Sequence, residues 1–385
     1  MAAALGVMLM LITGIVRPSQ AASAFAALWQ PFLAIAAIMV TTAVAYEVGV
    51  LDWLAARVDA RARSARHLFT LVFVMSALTA TALNNDAAVL LLTPLVVCLI
   101  RRRYPDRPDL IMPFAFAVFM SAGVAPLMIS NPINMIIAEY ASLDFNTYLI
   151  HMAPVAVAGW GVAYVVLRLV FRKQLASAPA VSELPTKKPM SRLQRQMSAV
   201  LVGVLPAYAI SAALGGAIWI VAVAGAVLAV AISRASGQRP VTVVRRGVSW
   251  DTLIFLACVL LLSVGLLNVG LVERLASYYS GAGTVGVGAV SAVGSALLNN
   301  HPMAHINMMA LGQVEGAGMS STWAVLIGGD LGPRLLPMGS LAGLLWLGLL
   351  RREGVNVRLR DFCGIGLLVT VPTLVVSLAM VVLLF

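Results

Sequence analysis

Hydrophobic and polar positions alternate along this chain in long blocks. Apolar segments fall at about 2–16, 28–52, 67–100, 111–139, 150–171, 198–214, 217–233, 252–269, 284–311, 321–350 and 363–385. Apolar runs of about 20 residues predict helices that cross a bilayer. A membrane barrel would show ten-residue stretches of alternating polarity, and the chain has none. The basic residues between the segments cluster in five loops. These hold Arg57, Arg61, Arg63 and Arg66; Arg101, Arg102, Arg103 and Arg107; Arg172, Lys173, Lys187, Lys188, Arg192 and Arg195; Arg234, Arg239, Arg245 and Arg246; and Arg351, Arg352, Arg358 and Arg360. Together they carry 22 of the 26 Lys and Arg residues, whereas loops 139–149, 214–216 and 312–320 carry none. By the positive-inside rule the five basic loops face the cytoplasm.

That orientation leaves two segments unable to cross. Segment 67–100 has basic loops at both ends, so it is expected to enter and leave on the cytoplasmic side as a re-entrant hairpin with its tip at Asn84-Asn85-Asp86. Segment 284–311 has loops poor in Lys and Arg at both ends, so it is expected to be a second hairpin from outside, with its tip at Asn299-Asn300-His301-Pro302. Two ordinary helices per segment would leave each half only about 14–17 residues, short for a ~30 Å core. The remaining segments alternate sides, which predicts about nine spanning helices, ten at most, beside the two hairpins.

The hairpins resemble each other, with TALNN at 81–85 and SALLNN at 295–300. Each is followed by a long segment broken by Gly, Pro and polar residues: GVAPLMISNPINM at 123–135 within 111–139, and GGDLGPRLLPMGS at 328–340 within 321–350. Paired interrupted helices in opposite orientation are the mark of an inverted-repeat transporter with its site near the midplane. The expected first repeat is 1–171, the second is 198–385, and 172–197, rich in Pro, Ser and charge, is a cytoplasmic linker. The second half has three segments before its hairpin and the first only two, which suggests one further helix at the N-terminal side.

Composition agrees with this picture: 61% of residues are hydrophobic and only 11% charged, where a soluble chain carries about a quarter charged. The formal charge of +11 would suggest a nucleic-acid partner, but the charges sit in short loops and set topology instead. Cys98, Cys258 and Cys363 lie far apart, with no metal-ligand spacing and no disulfide framework. The apolar N-terminus lacks the basic region and cleavage site of a signal peptide and reads as a mature helix. No Walker loop, nucleophile elbow or zincin motif appears, which points away from an enzyme.

Polar groups at membrane depth are costly and therefore informative. Asn84 and Asn85 can cap the helix ends that a hairpin tip leaves open, or exchange hydrogen bonds with a small polyhydroxylated solute. Asp86 suits reversible protonation, with an N-cap role as the structural alternative. Ser130, Asn131 and Asn134 surround Pro132 in the first break. Asp330, Gly332, Pro333, Pro337, Gly339 and Ser340 make the second. Arg334 stands four residues after Asp330, close enough on one helical face for an ion pair, or free to snorkel to the cytoplasm and leave Asp330 to titrate. His301 takes the place of Asp86 in the second tip. His301 and His305 are spaced i, i+4, but no third ligand is near, so no metal is expected. Glu47, Asp52, His67, Glu139, His151, Asp251 and Glu273 lie near segment ends, at the interface.

LNNDAAVLLLTPLVV (83–97), SNPINMIIAEY (130–140), LLNNHPM (297–303) and above all GGDLGPRLLPMGSLAGLLWL (328–347) resemble the ArsB-type arsenite and antimonite efflux permeases. These belong to the ion-transporter superfamily of inverted repeats and re-entrant hairpins. LITGIVRP (11–18) and the tail 351–385 extend the resemblance over nearly the whole chain. It implies export of arsenite and antimonite across a bacterial inner membrane in exchange for protons, with a soluble ATPase partner in some systems and no cofactor. A sodium/proton antiporter of the same superfamily is the alternative. By position it implies substrate contacts at Asn84, Asn85, Ser130, Asn131, Asn134, Asn299, Asn300, Gly339 and Ser340, with proton coupling at Asp86, Asp330 or His301. Pro302 matches the second tip and Gly332 and Pro333 the second break. His301 and His305 depart from the family, which commonly has uncharged residues there. The family's further N-terminal helix agrees with the gap between the repeats.

Overall fold

The computed structural model describes residues 2–178, 189–235, 237 and 239–385, and these form α-helices and short 3₁₀ turns with no strand among them. Residues 179–188 of the expected linker, with Lys187 and Lys188, lie outside the described residues. Two helices come first, α1 (Ala2–Ile12) and α2 (Pro18–Glu47), followed across a Gly49 turn (φ +80°) by the short α3 (Val50–Asp59). Then α4 (Ala65–Ala82) and α5 (Asn85–Arg103) fold back on each other at Leu83-Asn84. A broken helix follows as α6 (Ile111–Ser121) and α7 (Pro132–Tyr140), then α8 (Phe145–Val170) and α9 (Arg172–Ala176).

The second half runs through α10 (Arg192–Ala213), α11 (Ile218–Ala235), α12 (Pro240–Gly247) and α13 (Trp250–Asn268). Next is α14 (Leu271–Leu298), interrupted at Gly283 (φ +60°, ψ 172°), which turns back through Asn299 into α15 (Asn300–Leu311). The second broken helix is α16 (Met319–Leu331) and α17 (Leu341–Arg352), and α18 (Leu359–Leu384) closes the chain. Both hairpins and both breaks therefore fall where the sequence places them. Two outcomes differ from it. First, α2 starts at Pro18, ten residues ahead of its apolar segment, because proline is well suited to a helix's first turn. Second, α3, α9 and α12 are helices where only basic loops were expected. The longer two, α3 and α12, have apolar and basic faces and suit the membrane surface better than its interior.

Packing repeats the inverted pattern. The first arm of each hairpin packs on the first half of its own repeat's broken helix, α4 on α6 and α14 on α16. The second arm packs on the second half of the other repeat's broken helix, α5 on α17 and α15 on α7. Outside this group, α2 packs on α11 and α13 on α1. Each hairpin has its own apolar core, one holding Leu68, Phe69, Phe114 and Trp346, the other Trp323, Leu326, Ile133 and Ile306. The base of the first hairpin is fixed by Arg103, whose guanidinium donates to the Asp59 carboxylate and the Ala62 carbonyl.

The fold is an all-α integral membrane protein: an inverted repeat with two re-entrant hairpins of opposite orientation and two broken helices. In a variant lacking its three cysteines, Asp106→Cys should react with a membrane-impermeant thiol reagent only from the cytoplasm, and Glu315→Cys only from outside. Labelling of positions 66 and 106 from opposite faces would mean that the first hairpin crosses the membrane.

Candidate functional site

The two tips solve the same backbone problem in the same way. A helix start leaves N–H groups without partners. Asn84 Oδ1 accepts from the N–H groups of Asp86 (2.8 Å) and Ala87 (3.3 Å) and so caps α5. Asn299 Oδ1 accepts from the His301 N–H (3.3 Å) and caps α15, with Asn299 held at φ +82° and its Nδ2 donating to the Met338 carbonyl. The first asparagine of each pair is thus committed to a cap. The second is not: Asn85 and Asn300 are buried, and their Oδ1 atoms have no hydrogen-bond partner among the described residues. Asp86 and His301 occupy equivalent places, each the second residue of the returning helix.

The two breaks meet the tips and each other. Asn131 caps α7, with its Oδ1 accepting from Ile133 N–H (3.4 Å), and Ser340 caps α17, with its Oγ accepting from Gly343 N–H (3.0 Å). Asn131 Nδ2 donates to Asp330 Oδ1 (2.7 Å) and Asn134 Nδ2 to Asp330 Oδ2 (3.2 Å), so the carboxylate sits at the N-terminal end of α7, where a helix dipole favours negative charge. Arg334 takes neither of the two courses open to it from sequence. It is 6% exposed and makes no ion pair with the Asp330 carboxylate. Its Nη1 donates to the Asp330 carbonyl (2.6 Å) and its Nη2 to the Ala122 carbonyl, at the ends of α16 and α6. A cation there complements two helix C-termini at once.

Close backbone contact holds this arrangement. Gly328 on α16 and Gly332 just past its end face Gly288 and Ala292 of the second hairpin so tightly that a Cβ at Gly328 would stand 2.5 Å from the Gly288 carbonyl oxygen. This is the small-residue contact typical of helices packed in lipid. Gly339 is likewise a packing position, since a Cβ there would meet Pro333 Cα at 2.6 Å. Ser130 ties the first break to the first hairpin, its Oγ donating to the Thr81 carbonyl (2.9 Å).

Where tips and breaks converge lies a cavity of about 30 Å³, lined by Asn85, Asp86, Asn131, Asn300, Asp330, Arg334 and Ser340 with Phe119, Val89 and Pro333. That is room for about one water. Asp86 also lines a second space of about 360 Å³, largely apolar, which reaches Glu47 and Arg246 at the C-terminal ends of α2 and α12. A third, of about 230 Å³, opens among Glu139, Asp144 and residues Gly215 to Trp219, at the far end of α7. Of the residues expected at the site, Asn85, Asp86, Asn131, Asn300, Asp330 and Ser340 come together around the small cavity. Asn84 and Asn299 cap, Ser130 and Gly339 support, Asn134 holds Asp330, and His301 turns its ring toward Phe255 of α13. Sequence reasoning did not place Phe119 at the cavity or Tyr46 and Thr252 at the larger apolar space, because no local motif marks them.

Opposed hairpins, crossed broken helices and a small polar cavity between them define the class: a multi-pass helical transporter of the inverted-repeat kind. The sequence profile of the arsenical pump membrane protein family, ArsB, matches residues 1–385, and the chain belongs to that family. It is 28% identical to the arsenical pump membrane protein of Escherichia coli (strain K12) over 394 aligned positions, covering 98% of this chain and 91% of that one. Its counterpart in Yersinia enterocolitica is also 28% identical, with 96% and 90% covered. An uncharacterized transporter of Mycobacterium tuberculosis is 25% identical, with 91% and 84% covered. The crystal structure of the Alcanivorax borkumensis YdaH transporter superposes with a TM-score of 0.63 at 16% identity, covering 96% of this chain and 90% of that one, which establishes a shared fold.

The division of work at the tips predicts a contrast in stability. Asn84→Ala and Asn299→Ala should each cost about 1 kcal/mol through a lost cap and lower the melting temperature in detergent. Asn85→Ala and Asn300→Ala should leave it nearly unchanged, because their Oδ1 atoms hold nothing in the fold. Arg334→Leu should lower the amount of folded protein in the membrane, since it leaves two buried carbonyls unmatched at roughly 1–3 kcal/mol each.

Proposed function

We propose that this chain exports trivalent arsenic, as its neutral trihydroxide, from the cytoplasm in exchange for protons, and handles the antimony analogue in the same way. One observation carries the reading: around the cavity the buried Oδ1 atoms of Asn85 and Asn300 are acceptors that nothing in the fold engages, with the Asp86 carboxylate beside them and Asp330 held only by the amide donors of Asn131 and Asn134. A neutral trihydroxide presents O–H donors to such a set. An oxyanion would meet two carboxylates, and the Nη groups of Arg334 are already engaged by carbonyls. The cavity is too small for a solute with three oxygens, so hairpin tips and broken helices must part to admit it. The vestibule beside Asp86 gives the cytoplasmic approach.

A neutral solute gains nothing from the membrane potential, so uphill export requires a coupled charge. Asp86 and Asp330 are the carriers we assign, with His301 as a third candidate. Arg334 supports this role for Asp330. Because it is held by helix-end carbonyls instead of the carboxylate, Asp330 can change charge without breaking an ion pair. Asn131, Asn134, Ser340 and the tip asparagines shape the site around it. The chain is read as two inverted repeats, 1–171 and 198–385, in a bacterial inner membrane. A soluble ATPase, where one joins, would meet the basic cytoplasmic loops.

Everted vesicles carrying the protein should accumulate arsenite when a proton gradient is imposed. Movement of sodium without arsenite would instead identify a sodium/proton antiporter. Asp86→Asn should abolish gradient-driven uptake yet retain arsenite–arsenite exchange, because the amide resembles the protonated acid in shape and polarity. Full gradient-driven uptake by Asp86→Asn would remove that residue from coupling. Asp330→Asn should reach the membrane in normal amounts and lose coupling. Asn85→Ala and Asn300→Ala should raise the KM for arsenite about three- to tenfold, the worth of one hydrogen bond.

A further inference from the structure

His301 and His305 are not explained by packing. They are 2% and 0% exposed, on one face of α15, in the outward-opening hairpin. A histidine with a purely structural role normally has both ring nitrogens bonded when buried. Here each has one. His301 Nδ1 meets Asn299 Oδ1 at 3.2 Å, and His305 Nδ1 meets the Tyr140 hydroxyl at 3.4 Å. Both Nε2 atoms are buried without a hydrogen-bond partner among the described residues. Tyr140, 38% exposed, ends α7 beside Glu139, which lines the outer vestibule. At the other end of the row, Asn300 lines the cavity that holds Asp330.

We infer that Tyr140, His305 and His301 form a path by which protons from the outer side reach the transport site along α15. The inference rests on the proton-coupled reading above and names the route that reading lacks. The transfers balance as follows. The Tyr140 hydroxyl passes its proton to His305 Nδ1 while taking one from outside water, and His305 releases its Nε2 proton inward. His301, whose Nδ1–H stays with Asn299 Oδ1, takes it on Nε2 and releases the same proton from Nε2 toward the site, where Asp330 is the carboxylate we assign as the terminal acceptor. His305, left protonated on Nδ1 alone, turns its ring before the next transfer. The groups facing the pair support passage over trapping. From α7 there are Tyr140 and, beside it, Glu139. From α13 there is the edge of Phe255 against His301. From α14, Tyr279 donates its hydroxyl to Asn307 (2.6 Å). No carboxylate pairs with either imidazole, so a charged ring is not held in place.

The test uses proteoliposomes with a trapped pH dye, comparing Tyr140→Phe and His305→Gln with wild type. Arsenite-driven pH change should fall tenfold or more in both variants, while arsenite–arsenite counterflow stays within about twofold of wild type. Tyr140→Phe removes one exposed hydroxyl and leaves the helix intact, so it reports even if His305→Gln assembles poorly. Wild-type pH change in Tyr140→Phe overturns the path and leaves the coupled reading standing. Loss of counterflow together with the pH change in either correctly inserted variant also overturns it, by assigning these residues to substrate passage. Absence of any arsenite-driven pH change in the wild type overturns the coupled reading itself.

Discussion

The structure depends on one constraint: backbone that breaks inside a membrane must find partners there. Water is absent from the hydrocarbon, so each open N–H or C=O is costly unless protein meets it. This chain opens its backbone at four places, two hairpin tips and two helix breaks, and brings all four together. Asn84, Asn299, Asn131 and Ser340 cover the helix starts. Arg334 covers two helix ends with a single guanidinium. Among the described residues around the cavity, the Asn85 and Asn300 side-chain carbonyls remain uncovered, and these are the groups we propose meet the solute.

The same arrangement separates charge that must stay from charge that can change. Arg334 is fixed by carbonyl dipoles, and Asp330 is held by amide donors from Asn131 and Asn134 at the start of α7. Neither group depends on a direct ion pair, which in a dry interior would be strongly disrupted whenever one partner lost its charge. The close glycine contact between α16 and the second hairpin keeps Asp330 at the crossing point. Scaffold and site are therefore one set of interactions.

The repeats are similar in build and unequal in chemistry. Asp86 and His301 stand at equivalent positions, yet Asp86 opens to the larger apolar space and His301 is enclosed against α13. The conformation is thus approachable at the first tip and closed at the second. In inverted-repeat transporters, access alternates by rocking or gating of one repeat against the other around a fixed site, so one tip is open while the other is closed.

The membrane class, both hairpins and both breaks were legible in the sequence. They follow from run length, from the placement of Lys and Arg and from Gly and Pro, which act locally along the chain. The short helices α3 and α12 were not legible, because basic residues on one face of a helix look like a loop when polarity is averaged. The sequence also could not say which asparagine of each pair caps and which stays free, since TALNN and SALLNN permit either. Nor could it decide the partners of Arg334. An i, i+4 spacing allows an ion pair with Asp330, but the carbonyl that takes half the guanidinium belongs to Ala122, 212 residues away in the other repeat. Hydropathy determined which segments are membrane helices, because run length acts locally along the chain. Only their crossing in three dimensions decided which polar groups satisfy one another and which are left without a partner.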